Sequence, residues 1–187
     1  MSRQYWSETL AWATAAGTAV ANTTTETIIF PNVTIPANYM QDGRVLRLTA
    51  YGQWGIQAAG NTFRIRVRWG GVAGTVLFDS SAITNDAVAK TAAQWKAEIL
   101  LQTRSNGSSG TIISMGDCTF STATSPTIAT VTNYGCTVIG SAGGITTPAA
   151  TTVDLTADTA LSITWTWGTA NASNTATGQV YTIEALN

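Results

Sequence analysis

Alternation of apolar and polar positions runs through most of this chain, and it is clearest in TFRIRVRWGG, Thr62 to Gly71. Phe63, Ile65, Val67 and Trp69 fall on one parity and Arg64, Arg66 and Arg68 on the other. Successive side chains of a strand point to opposite faces, so this period of two predicts a half-buried β-strand with the arginines turned away from the core. The same period recurs in VLRLTAYGQW from Val45, in WKAEILLQTRS from Trp95 and in TALSITWTWG, where Leu161, Ile163, Trp165 and Trp167 share a face. Further strands are expected at TVLFDSS, GTIISMGDCTFS, TIATVTNYGCTVIG and the C-terminal QVYTIEALN. Gly70-Gly71 and RSNGSSGT supply turns, and Pro31 and Pro36 restrict ETIIFPNVTIP to edge or kinked strands. The pattern predicts an all-β, single-domain antiparallel β-sandwich of jelly-roll type with about eight or nine strands. Residues 1–22 fit the pattern poorly and are expected to form an N-terminal arm or first edge strand; residues 23–187 are expected to form the sandwich.

The length of 187 residues suits one sizeable core. Nine basic residues against ten acidic ones leave a net charge of −1, so no global field draws the chain to nucleic acid or an anionic membrane. Charged residues make up 10% of the chain, well under the roughly 25% usual in soluble domains. Hydroxyls must wet the surface instead, which suits a protein packed into a larger assembly or living outside cells. LAWATAAGTAVAN ends like a signal-peptide cleavage site, but Glu8 and the interspersed Thr14, Gly17 and Thr18 argue against export. Nothing approaches the ~18 apolar residues of a membrane span.

Candidate chemistry is sparse. The chain has no histidine, which removes the commonest general base and metal ligand. A carboxylate pair could run glycoside hydrolysis, but the acids are scattered over strand ends and turns, where they usually serve turn hydrogen bonds. Asp154 and Asp158, four apart, are better read as a turn than as a calcium loop, and WGGVAGT lacks the lysine and helix of a phosphate loop. Cys118 and Cys136 lie in segments expected to be neighbouring strands, which permits a bridge, though two buried thiols are the favoured reading. No catalytic, cofactor-binding or metal-ligating residue is therefore expected.

Interface candidates remain. Of the seven tryptophans, Trp69, Trp165 and Trp167 share parity with aliphatic residues and belong to a core; Trp6, Trp12 and Trp54 are open. Exposed rings would stack on sugars, whereas Tyr5, Trp6 and Trp12 on an arm would anchor into a neighbouring subunit. Arg64, Arg66 and Arg68 either pair across strands with carboxylates such as Glu98 or Glu184, or form an uncompensated ridge that marks a protein contact.

YWSETLAWATAAGTAV, IIFPNVTIPANYMQDGRVLRLTAYGQWG, TFRIRVRWGG and the closing VYTIEALN together resemble jelly-roll virion proteins of tailed double-stranded DNA bacteriophages. The resemblance implies a non-enzymatic head decoration (cement) protein, made in the host cytoplasm and bound to the outer head surface of the virion. It implies the major capsid protein as partner and self-assembly as a homotrimer; the charge balance already argues against nucleic acid and membrane as partners. Tail-fibre, receptor-binding and carbohydrate-binding β-sandwich modules are the alternatives; the last would need two or three exposed coplanar tryptophans.

Overall fold

Strand-forming sequence dominates because β-branched and aromatic residues alternate with short polar ones, a combination that fits a pleated, half-buried surface. The computed structural model describes residues 7–57, 61–85, 88–121, 136–141, 144 and 148–186, with 136–139 by backbone alone. The strands are β1 (Ser7–Trp12), β2 (Val20–Ala21), β3 (Thr27–Ile28), β4 (Val33–Ile35), β5 (Val45–Ile56), β6 (Thr62–Trp69) and β7 (Thr75–Asp79). They continue with β8 (Ile83–Thr84), β9 (Lys90–Ser105), β10 (Gly110–Phe120), β11 (Cys136–Gly140), β12 (Thr151–Val153), β13 (Thr159–Trp167) and β14 (Thr175–Leu186). Every pairing among them is antiparallel.

Two sheets face each other. The larger runs β1-β14-β5-β9-β10-β11, with β2 on β14 and β12 on β10; the smaller runs β3-β13-β6-β7, with β4 on β13 and β8 on β6. Taking β1, β3, β5, β6, β7, β9, β13 and β14 as positions one to eight, the sheets read 1-8-3-6 and 2-7-4-5. That order is the double Greek key of a jelly roll. The fold class matches the expectation, while the count of strands is larger: β4 is split from β3 by Pro31, and β10, β11 and β12 continue the large sheet past the jelly-roll edge at β9. Periodicity alone does not separate frame strands from such additions.

Between the sheets lies a core rich in aromatic rings. Phe63 of β6 stacks on Trp165 of β13 at 5.2 Å and 6°, and Trp95 of β9 approaches Trp165 to 5.8 Å from the opposite sheet. Trp54 and Phe120 close the cluster from β5 and β10, at 4.9 and 4.8 Å from Phe63. Rings this large need room, and a pair of glycines provides it. Gly52 of β5 sits opposite Gly178 of β14; a Cβ on the first would lie 2.5 Å from Trp95 Nε1, and one on the second would run into the Phe30 ring. At the sheet's far edge β1 is hydrogen-bonded along β14 from Ser7↔Leu186 to Trp12↔Thr182, and Tyr39 Oη donates to Glu8 at 2.6 Å. Burial together with that carboxylate raises the Tyr39 hydroxyl to about 12.

Candidate functional site

The two outer faces of the sandwich differ in how their side chains are used. On the small sheet the alternation of β6 sends Phe63, Ile65, Val67 and Trp69 inward and Arg64, Arg66 and Arg68 outward, as expected. The arginines are not an uncompensated ridge. Asp79, on the hairpin partner β7, accepts from Arg64 Nε at 2.6 Å and Arg66 Nε at 2.9 Å. Glu26, just before β3, accepts from Arg66 Nη1 at 2.5 Å and from Arg68 Nε and Nη2 at 2.5 and 2.7 Å. Thr164 Oγ1 adds a fourth donor to Glu26, and Arg68 Nη1 reaches the Gly74 carbonyl.

This corrects both the ridge and its expected partners. Glu184 pairs with Arg47 at 2.7 Å and Glu98 with Lys96 at 3.0 Å, all four on the other sheet. Burial pushes the Glu26 carboxyl up, but the hydrogen bonds from Arg68 and Thr164 and the charges of Arg66 and Arg68 outweigh it and bring it down to about 2. Arg66 is held above its ordinary value, because Asp79 and Glu26 more than offset its desolvation. Such charge-assisted bonds to partly buried groups fasten β3 and β7 to the centre of the sheet.

The outer face of the large sheet carries the exposed apolar side chains. Among the described residues, Trp12, Tyr51, Leu100, Met115 and Val180 are large, apolar and exposed on this one face, while Val72 and Val88 lie in turns. Register divides the five into two groups. Val180 sits opposite Tyr51, and Trp12 is one strand farther out on β1, so these three form a corner. Leu100 of β9 sits between Arg47 of β5 and Met115 of β10. Leu100 and Met115, with Val45 and Ile113, line a shallow groove of about 330 Å³, with Gln102 and Arg104 at one end.

Of the residues singled out from sequence, Tyr5 and Trp6 lie outside the described residues. Trp12 is 60% exposed at the end of β1, far from the arginines of the other sheet. Trp54, Trp69, Trp95, Trp165 and Trp167 are buried, so Trp12 is the one exposed tryptophan among the described residues. Cys118 is a free, buried thiol whose pKa burial pushes far up, and its backbone partner is Val138; the side chain of Cys136 lies outside the described residues. Asp154 caps the turn at Thr156, and Asp158 accepts from the Ala37 amide at 2.8 Å. The sequence reading missed Leu100, Met115 and Arg104. Leu100 follows Ile99 and precedes Leu101, so it reads as part of an apolar run rather than as an exposed position.

No protein-family model matches the chain, and no curated protein matches it. Among solved structures, the CBM2 module of the evolved Dit of Lactobacillus casei BL23 phage J-1 is 11% identical over 99% of this chain and 98% of its own, with a TM-score of 0.41. A likeness at that level carries no argument about this chain, and the jelly-roll assignment stands on the strand order alone.

Proposed function

We propose that this protein is a non-enzymatic structural component of a bacteriophage virion, a head decoration (cement) protein that docks on the major capsid protein at the outer head surface. The observation that carries the reading is the segregation of the two faces. One binds its charges internally and braces the fold; the other displays an apolar corner, Trp12, Tyr51 and Val180, beside the paired Lys96 and Glu98. Exposed apolar clusters with a polar rim mark protein contacts, and aromatic rings are enriched at the centres of such contacts. The resemblance of the sequence to jelly-roll virion proteins supplies the context. A clamp needs shape and adhesion rather than chemistry, and occupancy of a capsid lattice by a rigid sandwich stabilises that lattice by mass action.

Immunogold labelling of intact virions tests this. Gold over the head is the expected result. Gold confined to the tail overturns the head assignment in favour of a fibre or receptor-binding module, and unlabelled virions overturn the virion reading altogether. A carbohydrate-binding role has a single exposed tryptophan, Trp12, to offer as a stacking platform among the described residues.

A further inference from the structure

We infer that the β9–β10 part of the large sheet's outer face binds a second copy of this chain, face to face, about a twofold axis. The order of side chains along β9 motivates the assignment. Arg104, Gln102, Leu100, Glu98 and Lys96 follow one another on the outer parity, and β10 sets Ile113, Met115 and Asp117 beside Gln102, Leu100 and Glu98. The apolar pair Leu100 and Met115, exposed by 43% and 48%, thus has a cation on one side and two carboxylates on the other.

The charges are not settled within the chain. Asp117 stands directly opposite Glu98, a like-charge cross-strand pair that is unfavourable by itself; Lys96, 3.0 Å from Glu98, attracts both acids, and Arg47 of β5 adds a weaker attraction for Glu98. Among the described residues Arg104 and Asp117 take part in no ion pair. A twofold axis lying in the interface plane, perpendicular to the strands and crossing β9 near Leu101, reverses strand direction while keeping β9 over β9 and β10 over β10. Arg104 of each copy then faces Glu98, with Asp117 beside it, of the other, and Met115 of each faces Ile113 of the other. Two identical ion contacts form and the apolar strip closes on itself, which is the self-complementarity an isologous contact requires.

The area suits a weak, transient pair. Five strands, β1, β14, β5, β9 and β10, at ~4.8 Å spacing and the ~20 Å from Arg104 to Glu98 give a footprint of roughly 500 Å² per copy, or about 1,000 Å² in total, at the lower end of specific interfaces. Tyr51 and Val180 lie beyond the Glu98 end and stay open, while Trp12, level with Glu98 on the outermost strand β1, stands at the corner of the footprint. The extra strand β10 supplies half of the face, which gives this addition to the jelly roll a purpose. The resemblance to decoration proteins implies a threefold assembly; the charge order on this face closes a twofold pair.

Sedimentation velocity on the purified protein from low to high micromolar concentration tests the inference without reference to capsids. A monomer–dimer equilibrium is expected. R104E should weaken it at least about tenfold by setting carboxylate against carboxylate, and E98R should weaken it as well. An equimolar mixture of the two variants should recover dimers, because in the mixed pair both contacts are again between opposite charges. Monomer throughout for the unaltered protein overturns the inference, as does a trimer. A dimer indifferent to R104E, or variants that fail to associate on mixing, equally overturns it.

Discussion

The outer faces of the two sheets are built from similar strands and differ in how their charges are matched. On the small sheet three outward arginines and two acids form a closed network whose members are mostly shielded: the Arg66 and Arg68 side chains keep 17% and 15% of their exposure, Glu26 15% and Asp79 9%. On the large sheet the Arg47–Glu184 pair is open to water at 39% and 24%, and apolar side chains stand beside it. The difference teaches that a row of like charges says little about binding until its counter-charges are located. Where the acids lie within reach of the arginines, the charge is cohesive; where apolar groups and unmatched charges share a surface, the charge is left open to a partner.

Removing the shared carboxylate should break the contrast most sharply. Glu26→Ala leaves Arg66 and Arg68 short of an acceptor in a partly buried site, and a loss of about 3 kcal/mol is expected in chemical denaturation. Charge reversal at Arg66 should likewise cost stability, so impaired partner binding by such a variant would report a damaged fold rather than a lost contact.

Acid should reproduce part of that loss. Glu26 has its folded pKa depressed to about 2 from an ordinary 4.5, so its contribution is complete above pH 4.5 and disappears as pH falls toward 2. The shift corresponds to about 3 kcal/mol at most, and E26Q should flatten the stability–pH curve between those limits. An unchanged slope in E26Q would assign the acid sensitivity to other carboxylates.

On the large sheet the same kind of surgery should be mild. Leu100→Ser combined with Met115→Ser removes exposed apolar groups, and thermal stability of the monomer should move by no more than about 0.5 kcal/mol per site while self-association in sedimentation is lost. Glu184→Ala should be comparably mild. Its partner Arg47 is largely solvated, so a change below about 1 kcal/mol is expected, screened further by salt. A cost matching that of Glu26→Ala would erase the distinction between the faces.

Legibility in the sequence followed the range of the interaction. Asp79 was within reach: the turn at Gly70-Gly71 makes β6 and β7 a hairpin, and Arg66↔Asp79 follows from its register once a bulge is allowed. Glu26 was not, because it reaches Arg68 across 42 residues through the docking of β3 onto β13. Trp165 and Trp167 were fixed in the core by parity; Trp54 shares the parity of Leu46, Leu48 and Ala50, and the inner ring cluster shows what it packs against.

What the sequence determined by itself is the strand content, the inward parity of β5, β6, β9 and β13, and the outward direction of the arginines, since a period of two is a local property of the backbone. Tertiary structure alone decided which acid meets which arginine, which outer face is left apolar, and that β10 widens the sheet to carry Met115 and Asp117. Those outcomes depend on strands brought together from distant parts of the chain. Alternation states which side a residue faces and is silent about what waits there.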